Sequence, residues 1–390
     1  MKERKALLSP FAAFSGYFFM GYGSWATVNS FWPVFFNSFG YSNTQIGVLS
    51  AVGPFSALFG LIFWGARADR AKCRNNVALL MCLILGAVAM LYLAGNSFFY
   101  VSALSVIFMF CFFAMTPTVD AMFIEYAQSG KIDYGKGRLS GSFGLAFVPM
   151  LPGFVISRFG IRSLFPTYLA MLLIVMILVS QLPKMAGGQS GGKKIGLSAV
   201  RGDRQLTGLF CFLFFLHMTN GFYFAFFPVY MDNLGASNLI GLNNLAQFCM
   251  EALLIWFLVR TVKRFGFAKL YAFAFALTAA RMLLIGSIRS PAALIVVNLF
   301  CGLSYSMCMM LFSLFALRTP AQLRTSTQML NTIVAHSLSR FFGSMIGGAL
   351  SDVIGIGPVF ICVGLFDVLL FLCFALWLKK TGFLRDPVLM

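Results

Sequence analysis

Residues 44–74 read TQIGVLSAVGPFSALFGLIFWGARADRAKCR: no formal charge through position 66, then Arg67, Asp69, Arg70, Lys72 and Arg74 in quick succession. An uncharged apolar run of about 20 residues is long enough to cross a bilayer as a helix, and Lys and Arg gather in the loops that stay on the cytoplasmic side. The pattern recurs along the chain. Apolar runs occupy 11–37, 44–66, 75–95, 98–126, 139–160, 163–183, 206–231, 239–262, 267–288, 291–317, 326–351 and 357–378. Hydrophobic residues make up 60% of the 390 and charged residues 10%, more apolar surface than a soluble fold can hide. The expected fold class is an all-α membrane protein of twelve transmembrane helices.

The basic residues orient it. Lys2, Arg4 and Lys5, the 67–74 cluster, Lys131, Lys136 and Arg138 fall on one side of the expected membrane. Lys184, Lys193, Lys194, Arg201, Arg204, Arg260, Lys263, Arg264, Lys269, Arg318, Arg324, Lys379, Lys380 and Arg385 fall there too. Arg158, Arg162 and Arg289 fall on the other, and Arg281 and Arg340 lie within runs. Both termini are therefore expected in the cytoplasm. A net charge of +18 spread over short loops between spans suits a lipid bilayer and not nucleic acid. The Gly- and Lys-rich stretch 184–205 stands midway, so the expected organisation is a six-helix bundle over 1–183, a flexible cytoplasmic linker over 184–205 and a second bundle over 206–390. The MKERK start leads into a long run with no cleavage-like site, as in a retained signal anchor. Several of the nine cysteines lie inside runs without metal spacing, and free thiols are expected.

The loop Gly65-Ala-Arg-Ala-Asp69-Arg70-Ala-Lys72-Cys-Arg74 resembles the signature loop of the major facilitator superfamily, in which a Gly is followed four residues on by an acid and then a basic cluster. Lys72 stands where the usual second Gly would be, and Lys263–Lys269 looks like a degraded copy in the second half. The resemblance implies the major facilitator fold, a membrane carrier that acts as a monomer, and structural ion pairing at Asp69 and Arg70. Two further stretches, Thr116–Glu125 and Asp133–Gly144, are similar to the span 4 and span 5 region of lactose permease, of the nucleoside–proton symporters and especially of the phenylpropionate-permease-like family. By that likeness Asp120, Arg138 and small residues after it, Ser142 among them, line the substrate cavity. Glu251 and Arg281, thirty residues apart, resemble the Glu and Arg of the nucleoside and phenylpropionate-like carriers. His217 and Asn220 fall where nucleoside carriers keep amide ligands. One departure stands out: span 10, 291–317, has neither an acid nor a His, where these relatives usually keep an ionisable residue for proton coupling.

A charge inside a bilayer is costly, so those present face a cavity or a partner. Glu251 has no local charge partner and needs a distant one or a proton; it is the expected proton-coupling site, with Asp120 and His336 assisting. Arg281 is expected to bridge Glu251 or another acid, Glu125 to pair with a loop Arg, and Arg340 to pair with Asp352 or reach for the membrane surface. His336 and Arg340 are one helical turn apart. Asp367, in a peripheral span, is expected to be structural. Gln247 shares a face with Glu251, and with His217, Asn220, Tyr223, Tyr230, Asn243 and Asn244 it makes a cluster richer in amide and hydroxyl groups than packing needs, while Tyr22 and Asn29 are polar in the apolar run of span 1. Trp25 and Asn29 on span 1 complete the substrate-binding candidates, Trp25 as a stacking surface. Gly343 and Gly347 allow close helix approach, and Pro149 and Pro152 can bend span 5.

The expected function is a secondary transporter of the cytoplasmic membrane that imports a small polar organic solute, such as a nucleoside, oligosaccharide or aromatic acid, by alternating access. It draws on the proton gradient, without a cofactor or metal. No nucleotide-binding loop or nucleophile–base spacing suggests an enzyme. Efflux of amphipathic drugs or lipids, and a membrane sensor without flux, stand as alternatives.

Overall fold

The computed structural model describes residues 7–128, 130, 132–187, 204–316 and 331–382. Most of the linker, the basic residues Lys2, Arg4, Lys5, Arg318, Arg324 and Arg385, and the side chain of His336 lie outside the described residues.

The described chain is helical. Its α-helices are α1 (Pro10–Ser38), α2 (Asn43–Asp69), α3 (Arg74–Leu91), α4 (Phe98–Gln128), α5 (Tyr134–Phe147), α6 (Met150–Phe159) and α7 (Leu164–Gln181). They continue as α8 (Arg204–Asn233), α9 (Ile240–Ser287), α10 (Pro291–Ala316), α11 (Ser339–Ile354) and α12 (Ile356–Thr381). A π-helical turn, Thr332–Leu338, precedes α11.

Local chemistry sets the ends. Ser9 accepts from the Ala12 N–H with Pro10 in the first turn of α1, and Asp133 accepts from the Lys136 N–H to start α5. The predicted 239–262 and 267–288 runs are two helical segments, both within α9, separated at Gly266, whose non-helical φ of 77° only glycine adopts without strain. The predicted 139–160 run divides into α5 and α6 at Val148–Pro149. Proline has no N–H to continue the ladder.

Among the described residues nine helices are long and apolar enough to cross a membrane. α1, the 240–259 part of α9 and the stretch 331–354 fall outside that set. Side chains such as Ile62, Phe99 and Val353 are largely exposed, as expected of residues that meet acyl chains.

Contacts divide the chain into two units. The first holds Met1–Tyr41, Val52–Gly192 and Ser237–Leu245. The second holds Ser42–Ala51, Lys193–Ala236 and Ala246–Met390. In the first, α1 packs on α5 and α7, and α3 on α4 and α7. Between helices in lipid the gain comes from close packing, so small residues sit where helices meet. A Cβ at Gly144 would overlap the Phe19 carbonyl, and one at Gly23 would overlap Val148. A cage of Trp32, Phe35, Tyr92, Phe108 and Phe165 fills the space behind α1. In the second unit α8 packs on α11 and α12. Gly343 meets the Met218 carbonyl and Gly347 the Phe222 ring, so neither tolerates a side chain. Phe275 and Phe374 stack at 4.4 Å in its core.

The basic loop after α2 is pinned from two directions. Arg74, 5% exposed, places Nη1 2.6 Å from Glu125 Oε2 and Nη2 3.7 Å from Asp69 Oδ1. Its N–H donates to the Met185 carbonyl at 2.8 Å. Glu125 thus has the loop Arg expected for it. Asp69 pairs with Arg74, and Arg70 is in no ion pair among the described residues. Arg74 begins α3, so its side chain reaches back over the loop that separates it from Asp69.

Candidate functional site

Each unit holds a cluster of candidate site residues. In the first it is built on α1, α4 and α5. Tyr22, Trp25 and Asn29 follow one another at helical spacing along α1 and are partly exposed, in contrast to the buried residues between them. Asp120 projects from α4 beyond Pro117, and Tyr134 and Arg138 sit one turn apart at the start of α5.

Arg138 is the centre of this cluster. Its guanidinium carbon lies 4.0 Å from the Tyr22 ring centroid and 5.5 Å from that of Phe18. Nη2 donates to the Tyr22 hydroxyl at 2.5 Å, and Nε is 3.9 Å from Asp120 Oδ1. The Tyr134 hydroxyl donates to the same Asp120 oxygen at 3.0 Å. About a third of Arg138 and a quarter of Asp120 remain exposed. The ion pair is therefore long and partly open, and the guanidinium keeps donors for which the described residues offer no partner. This room exists because position 141 is glycine: a Cβ there would come within 2.9 Å of Arg138 Nη1 and 3.0 Å of Tyr22. Trp25 meets Phe113 edge to face at 6.5 Å, and the Asn29 amide donates to the Trp25 carbonyl at 2.9 Å. Ser142, partly exposed, follows Gly141 on α5 and makes no contact that ties it to Arg138.

The second unit's cluster draws on four helices, α8 to α11. His217, Asn220 and Tyr223 recur at helical spacing on α8 and are buried. His217 meets Tyr305 of α10 edge to face at 5.4 Å. Arg281 of α9, 1% exposed, donates from Nη2 to Asn220 Oδ1 at 2.7 Å and lies 4.2 Å from the Tyr223 ring centroid. Gln247 and Glu251 are one turn apart on α9, where Gly302 of α10 approaches so closely that a Cβ would strike the Gln247 carbonyl. Ser306 of α10, buried, lies near the Glu251 carboxyl. Arg340 of α11 lies 4.2 Å from the Phe224 ring centroid.

Several expected pairs take other partners. Arg281 is in no ion pair with Glu251 among the described residues; it is held by an amide and an aromatic face. Arg340 is set against Phe224, while Asp352 caps α2, accepting from the Asn43 and Thr44 N–H groups at 2.7 and 2.9 Å. His336 lies in the π-helical turn ahead of α11. Sequence reasoning left Tyr134 out of the candidate set, although its hydroxyl donates to Asp120. It also placed Asp367 at the periphery, yet that carboxyl is fully buried. The available signal was that it is the one acid in the apolar stretch 356–378.

No group of three or more His, Cys, Asp or Glu among the described residues is placed to hold a metal ion. All nine cysteines are free. A pocket of about 230 Å³ lined by Phe35, Phe39, Tyr92 and Arg162 lies in the first unit, away from every candidate residue.

Residues 11–362 match the MFS_1 like family. The maltose permease of Geobacillus stearothermophilus is 25% identical over 328 residues, which cover 82% of this chain and 82% of that one. An uncharacterized transporter of Bacillus subtilis (strain 168), YwbF, is 29% identical over 210 residues, 50% of this chain; the chain spans about half of that relative, 49%. Among solved structures, the nucleoside transporter NupG superposes with a TM-score of 0.83 at 15% identity, over 95% of this chain and 100% of that one. That last likeness is one of fold.

Proposed function

The chain belongs to the MFS_1 like family and is a secondary transporter that spans the membrane several times, not an enzyme; from that premise we propose that it imports a small polar organic solute by proton-coupled alternating access. The solute is a nucleoside, an oligosaccharide or an aromatic acid, and the inward proton gradient drives it without a cofactor. The protein works as a monomer in the cytoplasmic membrane, with twelve spans in two bundles, 1–183 and 206–390, and both termini in the cytoplasm.

The observation that carries this reading is Arg138: a guanidinium laid on Tyr22, only loosely paired with Asp120 at 3.9 Å, and still holding free donors. With about a third of its surface open, that guanidinium presents donors that water, or a solute in its place, can take. One that is held in place with donors to spare is suited to hydroxyl, carboxylate or carbonyl oxygens of a solute. Trp25, Asn29 and Ser142 supply a stacking face and further polar contacts in that unit. In the other unit His217, Asn220 and Gln247 do the same, and Glu251 carries the coupling proton with Asp120 and His336 assisting. The maltose permease relative supports a sugar-like solute.

Uptake of radiolabelled nucleosides, oligosaccharides and aromatic acids into cells that express the protein tests this, beside Arg138→Lys. At least one class should accumulate. Arg138→Lys, which loses the stacked and forked geometry, should raise KM about tenfold for a loss of roughly 1.4 kcal/mol, without lowering the amount in the membrane. If no class enters, import is wrong; if the variant matches the wild type, Arg138 does not bind the solute.

A further inference from the structure

Asp367 is 0% exposed, and neither of its carboxyl oxygens has a hydrogen-bond partner among the described residues. It sits on α12 in the run Gly364-Leu-Phe-Asp367-Val-Leu-Leu. α12 packs there on α8 and α11. Gly364 lies so close to Leu283 of α9 that a Cβ would come within 2.7 Å of the Leu283 Cγ.

Two side chains lie within electrostatic reach of the carboxyl. Arg281 of α9 is close enough to act on it electrostatically, and its Nε and Nη1 are buried without partners while Nη2 is spent on Asn220. Thr219 of α8 lies beside it, but that hydroxyl donates to the Leu216 carbonyl at 2.8 Å. Other titratable or charged groups on the packed elements include His217, Tyr223 and Asp232 on α8, Glu251 and Tyr271 on α9, Arg340, turned to Phe224, and Asp352 on α11, and Cys362, Cys373, Lys379 and Lys380 on α12 itself.

An ionised carboxyl cannot stay buried and unpaired. Two arrangements relieve it. When it is protonated, its O–H donates to the Thr219 oxygen, which has lone pairs to spare, and Arg281 stays on Asn220. When it is ionised, Arg281 turns its unused N–H groups onto the carboxylate and releases the Asn220 oxygen. We propose that Asp367 is a second proton-carrying group of the transport cycle, and that its charge state decides whether Arg281 holds Asn220 in place for the solute, as it does when the carboxyl is protonated, or lets it go. The step is a proton passing from water to a carboxylate oxygen and back, with no bond changed other than that O–H. Because Asn220 is a candidate solute ligand, proton and solute become linked through one side chain. The inference rests on the proton-coupled reading above and names a group within it.

The test uses the full-length protein in lipid. Infrared difference spectra between acid and alkaline pH are recorded for the wild type, Asp367→Asn and Glu251→Gln. A carboxylic-acid C=O band that titrates, is lost in Asp367→Asn and persists in Glu251→Gln is expected. A spectrum unchanged by Asp367→Asn overturns the proposal, as does a band present at every pH, which would make Asp367 a permanently neutral structural acid. If Asp367→Asn does not reach the membrane, Asp367→Glu assigns the band by shifting its frequency, and a band that does not move overturns the proposal. In transport, Asp367→Asn should lose protonophore-sensitive accumulation and keep solute exchange; accumulation equal to the wild type overturns it. If no solute of the panel is carried, the import reading falls while the infrared titration still decides Asp367.

Discussion

Arg138 and the glycine three residues after it show how one position governs another. A methyl group at 141 would press on the far end of the flexible Arg138 side chain, which can yield. Gly141→Ala should therefore leave the protein folded and displace the guanidinium from Tyr22. The expected cost is about 1 kcal/mol of solute binding, roughly fivefold in KM, read from uptake kinetics. Gly144 differs, since its Cβ would meet the Phe19 backbone carbonyl, which cannot yield without moving α1. Gly144→Ala should lower thermal stability by about 1–3 kcal/mol, read from unfolding of the purified protein in detergent. Arg74 makes a third case. Replacing it by Met leaves Asp69 and Glu125 unpaired, and because both carboxylates are about half exposed the loss should stay near 1–2 kcal/mol in the same measurement. At this scale the sequence discloses which residues are charged in apolar surroundings, and so Asp120, Arg138, Glu251 and Arg281 could be listed from it. It does not disclose pairing. Arg74 in place of Arg70 beside Asp69, and Asn220 in place of Glu251 beside Arg281, depend on helix rotation, which apolar runs without a polar face leave undetermined.

Helix ends carry their own chemistry. Asp352, just beyond the predicted 326–351 span, accepts from the Asn43 and Thr44 N–H groups and from the Thr44 hydroxyl at 2.5 Å. It thus satisfies the first turn of α2 and complements its dipole. Burial pushes the Asp352 carboxyl up, but the hydrogen bonds from Thr44 and Asn43 outweigh it and hold the group below the usual carboxylate range. The sign follows: the cap stabilises fully above about pH 4, where the unfolded carboxyl is ionised, and is lost as pH falls through the depressed folded value. Asp352→Asn should lower the thermal midpoint modestly at neutral pH, by well under 1 kcal/mol for so exposed a group, and should remove that step from the acid limb of the stability profile. The element pattern itself was largely legible, since 20-residue apolar runs have few other solutions. What the runs concealed were the interruptions. The α5–α6 break and the π-helical turn at 332–338 depend on backbone geometry that hydropathy averages away. That turn carries His336, and π-helical turns recur at functional sites.

The whole molecule belongs to the MFS_1 like family, and each of its two units carries a charged cluster. Orientation is the part of this that charge alone predicts. Cys73 lies in the basic loop between α2 and α3 and is partly exposed. In an otherwise cysteine-free background, a membrane-impermeant thiol reagent should label it in inside-out vesicles and not in right-side-out ones. The reverse pattern would put the termini outside. The central claim is that the proton gradient drives the solute inward. The most direct measurement is solute uptake into proteoliposomes under an imposed pH gradient, acid outside, for the wild type and Glu251→Gln. Accumulation above the external concentration, collapsed by a protonophore and absent in Glu251→Gln, is the predicted result. Uptake that stops at equal concentrations whether or not the gradient is present would contradict it and make the protein a uniporter.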